Sequence, residues 1–307
     1  MVSMSPEHWD LLADLHRGGL YRQEFQAAWQ NGVAFLAATD GLRGRLPLVV
    51  EWRGGQRQPG DEPVPADLRI DHVFLVSCKY LSSIVSNTSP TSLFDRLLAG
   101  GHGGRSPDWF AEVAPAAYDE LYQAVRDHLR LASGAAEHDL PSSVLDLSTS
   151  ERALVQRHLG PGQWASRLRP AAAAFAQAVA EASATRWHAA LAGADVERAL
   201  WRLLRIGSTP YFVLGAARHG SLRLRIGTAW DWRQHFKIDD FSVVPAARAQ
   251  PAVDWHVVVG HRRSTQQATI DGHVEIRWSH GKFAQPPEAK VYLDTPHHRI
   301  PGYWALR

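Results

Sequence analysis

Cysteine is almost absent from this chain: Cys78 is the one among 307 residues. That excludes an intramolecular disulfide and any multi-cysteine zinc centre. Lysine is nearly as scarce, because of 33 basic residues only Lys79, Lys237, Lys282 and Lys290 are lysine. Where a chain writes arginine for almost every cation, a lysine points to its own chemistry, and Lys79 does so first. No window approaches the 18 uninterrupted apolar residues of a membrane-spanning helix. The opening MVSMSPEHWDLLADLH has neither the basic start nor the apolar stretch of a signal peptide, so a soluble, cytoplasmic protein is expected. P-loop, GxSxG, Rossmann GxGxxG and HExxH signatures are all missing.

What is present belongs to a folded domain. A hydrophobic fraction of 45% beside 21% charged residues excludes a disordered or fibrous chain. The 12 Trp suit core packing, or stacking on bases or sugars. Charge is uneven: residues 201–307 hold 15 Lys plus Arg against 8 Asp plus Glu, whereas residues 1–200 hold 18 against 23. A basic C-terminal third can meet a polyanion.

Apolar spacing predicts helices over 6–16 and 20–38, joined at Gly18-Gly19, and a short strand over 46–52, LPLVVEW. A Pro/Gly-rich loop occupies 55–66. The run 67–85 is the most strand-like of the N-terminal half, and a helix is expected at about 108–132 after the glycine-rich 99–107. Residues 133–205 read as helical, with a capped helix from Ser148 to Leu159 and an Ala-rich one beyond. After Gly207 the pattern alternates as strands do. The expected organisation is an N-terminal part at 1–132, a helical segment at 133–205 and a basic, β-rich part at 206–307.

The strongest chemical constellation lies in PADLRIDHVFLVSCKYLSSIVSNTSPTSLFD, 65–95. Alternation places Val73, Leu75, Ser77 and Lys79 on one strand face, with Phe74, Val76 and Cys78 on the other. Cys78 is expected to be an inert core residue. Acidic candidates surround the lysine: Asp67 and Asp71 upstream, Glu51 on the preceding strand. A turn at about Asp71 to Val73 would bring Asp67 alongside Ser77. A straight strand would instead part Asp71 from Lys79 by roughly 26 Å. Carboxylates that hold Mg²⁺, with an ammonium beside them, suit phosphodiester hydrolysis.

At this point the sequence resembles the PD-(D/E)xK nuclease superfamily, the restriction-endonuclease-like fold. Pro65-Ala66-Asp67 matches the first half of its motif loosely and Ser77-Cys78-Lys79 the second, with Ser77 where Asp or Glu is expected. Glu51 or the helical Glu24 is then the candidate for a carboxylate recruited from elsewhere. The segments YLSSIVSNTSPTSLFD and HVEIRWSHGKFAQPPEAKVYLDTP, 273–296, also resemble parts of restriction enzymes. The resemblance implies an α/β (α+β) fold with a mixed sheet flanked by helices, and a restriction or phage-defence deoxyribonuclease. It implies Glu51, Asp67, Asp71, Ser77 and Lys79 as catalytic residues, the three acids as ligands of Mg²⁺ (or Mn²⁺), and double-stranded DNA as partner. A cognate methyltransferase and a homodimer accompany that reading, with no membrane.

For DNA contact the best segment is Arg262-Arg263-Ser264-Thr265-Gln266-Gln267, since Arg bridges guanine and Gln bridges adenine in the major groove. Arg277, Lys282 and Arg233 would add phosphate contacts. His261, His273, His280, His297 and His298 fit no zinc spacing and read as phosphate contacts or strand-end residues. Two other readings stay open. One is a nuclease-fold protein that binds nucleic acid without cutting it, having lost the acid at Ser77. The other is a protein-interaction scaffold using the tryptophans.

Overall fold

The computed structural model describes residues 2–53, 64–96, 108–133, 140–159, 164–217 and 220–307. The expected loops at 55–66 and 99–107 fall largely outside these. The fold is mixed α/β with two sheets. Two helices open it, α1 (Pro6–Arg17) and α2 (Arg22–Ala37). They part at Gly18 and Gly19, where Gly19 takes φ 70°, a conformation that suits glycine best. Ser5 caps α1 by accepting from the His8 backbone N–H.

The first sheet has the order β1-β2-β3-β5-β6-β11. Its strands are β1 (Val50–Trp52), β2 (Leu68–Ile70), β3 (Phe74–Tyr80), β5 (Tyr211–Ala217), β6 (Gly220–Ile226) and β11 (Tyr303–Ala305). β1 covers only the end of the expected 46–52 strand. The strand-like run at 67–85 is a hairpin: β2 and β3 are antiparallel, with Leu68 opposite Val76. Asp71 and His72 turn it at φ 50° and 58°, left-handed values that match the twist of a tight hairpin. β3 then pairs in parallel with β5, Lys79 opposite Gly215. Parallel neighbours need a crossover, and here it runs through the other sheet and the helices.

The second sheet, β4-β10-β9-β8-β7, is antiparallel throughout. It comprises β4 (Ile84–Thr88), β7 (Phe236–Ala247), β8 (Pro251–His261), β9 (Gln267–Trp278) and β10 (Pro287–Leu293). Val253, Trp255, Val257 and Val259 alternate into the core, while Asp254 and His256 stay on the other face. The helix expected at 108–132 is two, α3 (Trp109–Val113) and α4 (Pro115–Ser133). The break falls at Ala114, because the residue before a proline is driven out of helical geometry. α5 (Thr149–Leu159) opens with a reciprocal cap between Ser148 and Glu151. α6 (Arg169–Ala192), α7 (Val196–Leu203) and α8 (Ala229–His235) are the remaining α-helices among the described residues.

One apolar core runs from Val64 to Tyr303 and takes Phe94, Trp109, Trp187, Trp232 and Trp255 to near-zero exposure. A smaller cluster, Phe35, Leu42, Ile70, Val76 and Phe212, seats α2 on the first sheet. Among the described residues no helix is long and apolar enough to cross a membrane.

Candidate active site

The β2–β3 hairpin decides the geometry. Asp67 donates its backbone N–H to the Val76 carbonyl at 2.8 Å. Its carboxylate Oδ2 accepts from the Cys78 backbone N–H at 2.5 Å and from the Ser77 hydroxyl at 3.3 Å. Ser77 is buried. Lys79 follows on the same strand face, half-buried, with its ammonium donating to the Ile84 carbonyl at 3.1 Å. Burial lowers the Lys79 pKa, and Arg205 lowers it further against the pull of Asp67. His297 stands near too: burial and then the Lys79 charge lower its pKa.

Glu51 is elsewhere engaged. It lies opposite Arg69 across β1 and β2, and that guanidinium grips both carboxylate oxygens. The Arg69 hydrogen bonds hold the Glu51 pKa down at about 2. Asp71 sits in the hairpin turn, where Oδ1 accepts from the backbone N–H groups of Leu48 and Val49 at 2.8 Å each. Four strand steps, about 13 Å, separate it from Asp67. Glu24 acts on Tyr80, whose side chain takes the strand face opposite Lys79. Asp67 is therefore the acid that the hairpin brings to Lys79. Among the described residues no three His, Cys, Asp or Glu lie close enough together to cage a metal.

Cys78 is exposed, not a core residue as expected. α2 lies over β5 and β6 more than over β3, which leaves this position of the strand uncovered. The alternation pattern missed Arg205 and His297, which reach the corner from α7's end and from the loop before β11. It also missed Asn31, which donates from α2 to the Gly215 carbonyl at 2.9 Å and accepts from Arg223 at 2.8 Å. No local signal marks these residues.

The residues expected at DNA fall at two ends of one hairpin. Arg262, Arg263 and Gln266 form the turn between β8 and β9, with Gln267 opening β9; Arg277 lies ten strand steps, roughly 33 Å, along β9, near Lys282. Arg262 donates to the Phe236 carbonyl at 2.8 Å and pairs with Glu197 at 3.5 Å. Arg233 pairs with the same Glu197 at 2.6 Å. Gln267 donates to Asp239 at 2.9 Å, and Arg277 pairs with Glu288 at 2.8 Å. Arg263 and Gln266 are exposed. His273 pairs with Asp294 at 2.8 Å and stacks on Tyr292.

No family model, curated protein or solved structure matches this chain. The functional reading therefore rests on the corner itself.

Proposed function

We propose that this chain is a nuclease-type phosphodiester hydrolase of the restriction-endonuclease-like class, acting on DNA at the corner formed by Asp67 and Lys79. The observation that carries the reading is the hairpin, which aligns Asp67 with Ser77 and brings its charge to bear on Lys79. Asp67 makes no hydrogen bond through Oδ1 among the described residues. One such carboxylate suits Mg²⁺, which is usually held by one or two carboxylates together with substrate phosphate oxygens. The ion would supply Lewis-acid charge at the phosphate. Ser77 and the Cys78 N–H fix the Asp67 carboxylate from one side, leaving Oδ1 to ligate. Lys79, partly desolvated, offers an ammonium whose attraction for a developing negative charge is stronger than it would be in water.

The Glu51–Arg69 pair favours a second reading, binding of nucleic acid without cleavage, because it withholds one of the two acids expected to replace one at Ser77. Supercoiled plasmid incubated with Mg²⁺, Mn²⁺ or EDTA separates the two. Metal-dependent nicking that Asp67→Asn abolishes supports the hydrolase. Salt-sensitive binding with no nicking supports the second reading. Neither binding nor nicking, on DNA or RNA, sinks both.

A further inference from the structure

A cavity of about 720 Å³ opens between the start of α6 and the end of the second sheet away from Lys79. It is lined by Phe175, Trp164, Trp278 and Phe283 among others, and Phe175 and Trp278 stack at 5.3 Å. Each charged residue in its described lining is a cation: Arg169, Arg248, Arg277 and Lys282. Arg248 and Arg277 are neutralised by Asp254 and Glu288. Arg169 and Lys282 have no ion-pair partner among the described residues and are exposed at the rim. Arg169 also opens α6, a helix of 24 residues with no side-chain cap, so the helix dipole adds positive potential there.

We infer that this cavity binds a nucleotide, with the base against the aromatic lining and its phosphate between Arg169 and Lys282. Flat rings stack offset on aromatic side chains. Unpaired cations beside a helix start favour phosphate. A purely aliphatic guest would use the rings and leave the cations idle. The volume lies within the ordinary range of small-molecule sites. The inference stands apart from the hydrolase reading, because β10 runs between the two places. Pro287 pairs with Trp278 at the cavity, Leu293 bonds to Ser83 near Lys79, and the six steps between span about 20 Å.

Calorimetry on the intact protein tests it, with AMP, GMP, CMP and UMP, and with the four matching nucleosides and inorganic phosphate as partial ligands. At least one nucleotide should bind, with its nucleoside and inorganic phosphate each weaker by about tenfold or more. Arg169→Gln with Lys282→Gln should remove most of the nucleotide's advantage over the nucleoside and leave nucleoside binding unchanged. Ala173→Trp, at an exposed α6 position lining the cavity, should abolish binding while the melting temperature is kept. No heat from any nucleotide at about 1 mM would overturn the inference. So would full binding by Ala173→Trp, or loss of binding in Lys79→Ala alone, which would move the nucleotide to the strand corner.

Discussion

Lys79 donates its ammonium to the carbonyl of Ile84 at 3.1 Å, joining a residue of β3 in one sheet to the residue that opens β4 in the other. The chain changes sheets between these two positions, turning at Leu81 with φ 51°. The cation that the proposed hydrolase would offer to a phosphodiester is thus also the tether at the point where the sheets part. Its energetics couple the site to the fold, because a half-buried ammonium that loses its acceptor is penalised.

Lys79→Ala is expected to remove metal-dependent cleavage while DNA affinity falls only slightly, since one lysine supplies one of several phosphate contacts. Loss of the charged hydrogen bond should also lower stability by about 1–3 kcal/mol, seen as a reduced denaturation midpoint. Binding and cleavage lost in equal measure would make Lys79 a phosphate anchor instead.

The Glu51–Arg69 pair should give stability an acid-sensitive component. The Glu51 pKa is depressed from 4.5 to about 2, chiefly by the Arg69 hydrogen bonds. A depressed carboxylate stabilises the fold above its unfolded pKa, and that stabilisation is lost as pH falls through the folded one. Wild type and Glu51→Gln should therefore differ by a constant amount above about pH 5. The gap should close towards pH 2. Urea midpoints measured across this range check it, and a gap unchanged below pH 4 would show that the pair does not govern the difference.

Gly215→Ala should destabilise the first sheet beside the site. A Cβ at Gly215 would run into the backbone carbonyl of Lys79, and backbone cannot swing aside as a side chain can. Overpacking of this kind costs about 1–3 kcal/mol. Thermal unfolding of Gly215→Ala, with Gly193→Ala as the control because nothing lies near its added Cβ, distinguishes the clash from a general effect of alanine.

The turn between β8 and β9 offers a separate test of DNA contact. Arg262 is already held by Glu197 and by the Phe236 carbonyl, whereas Arg263 is exposed. If the turn meets phosphate, Arg263→Ala should lower the slope of log K against log salt by about 0.9. Arg262→Ala should act mainly on stability. An unchanged slope with relaxed sequence preference would mean that Arg263 reads bases, and no change in affinity, slope or preference would remove the turn from the interface.

Local chemistry determined a good deal of this protein. Periodicity placed α1 and α2 either side of Gly18-Gly19. Alternation put Ser77 and Lys79 on one strand face, but left open whether the chain turns near Asp71 to Val73 or runs straight, which the β2–β3 pairing decided. Periodicity and alternation depend on neighbours within a few residues, which a sequence displays directly. Tertiary structure alone decided which acid remains for Lys79, since Glu51 is taken by Arg69 from an adjacent strand and Asp71 by the backbone at Leu48 and Val49. It alone exposed Cys78, divided the strands between two sheets, and paired Arg262 with Glu197, 65 residues earlier in the chain. It also gathered Trp164, Gln250, Trp278 and Lys282 around one cavity. Charge pairing and cavity formation depend on distance through space, and neither composition nor periodicity carries that distance.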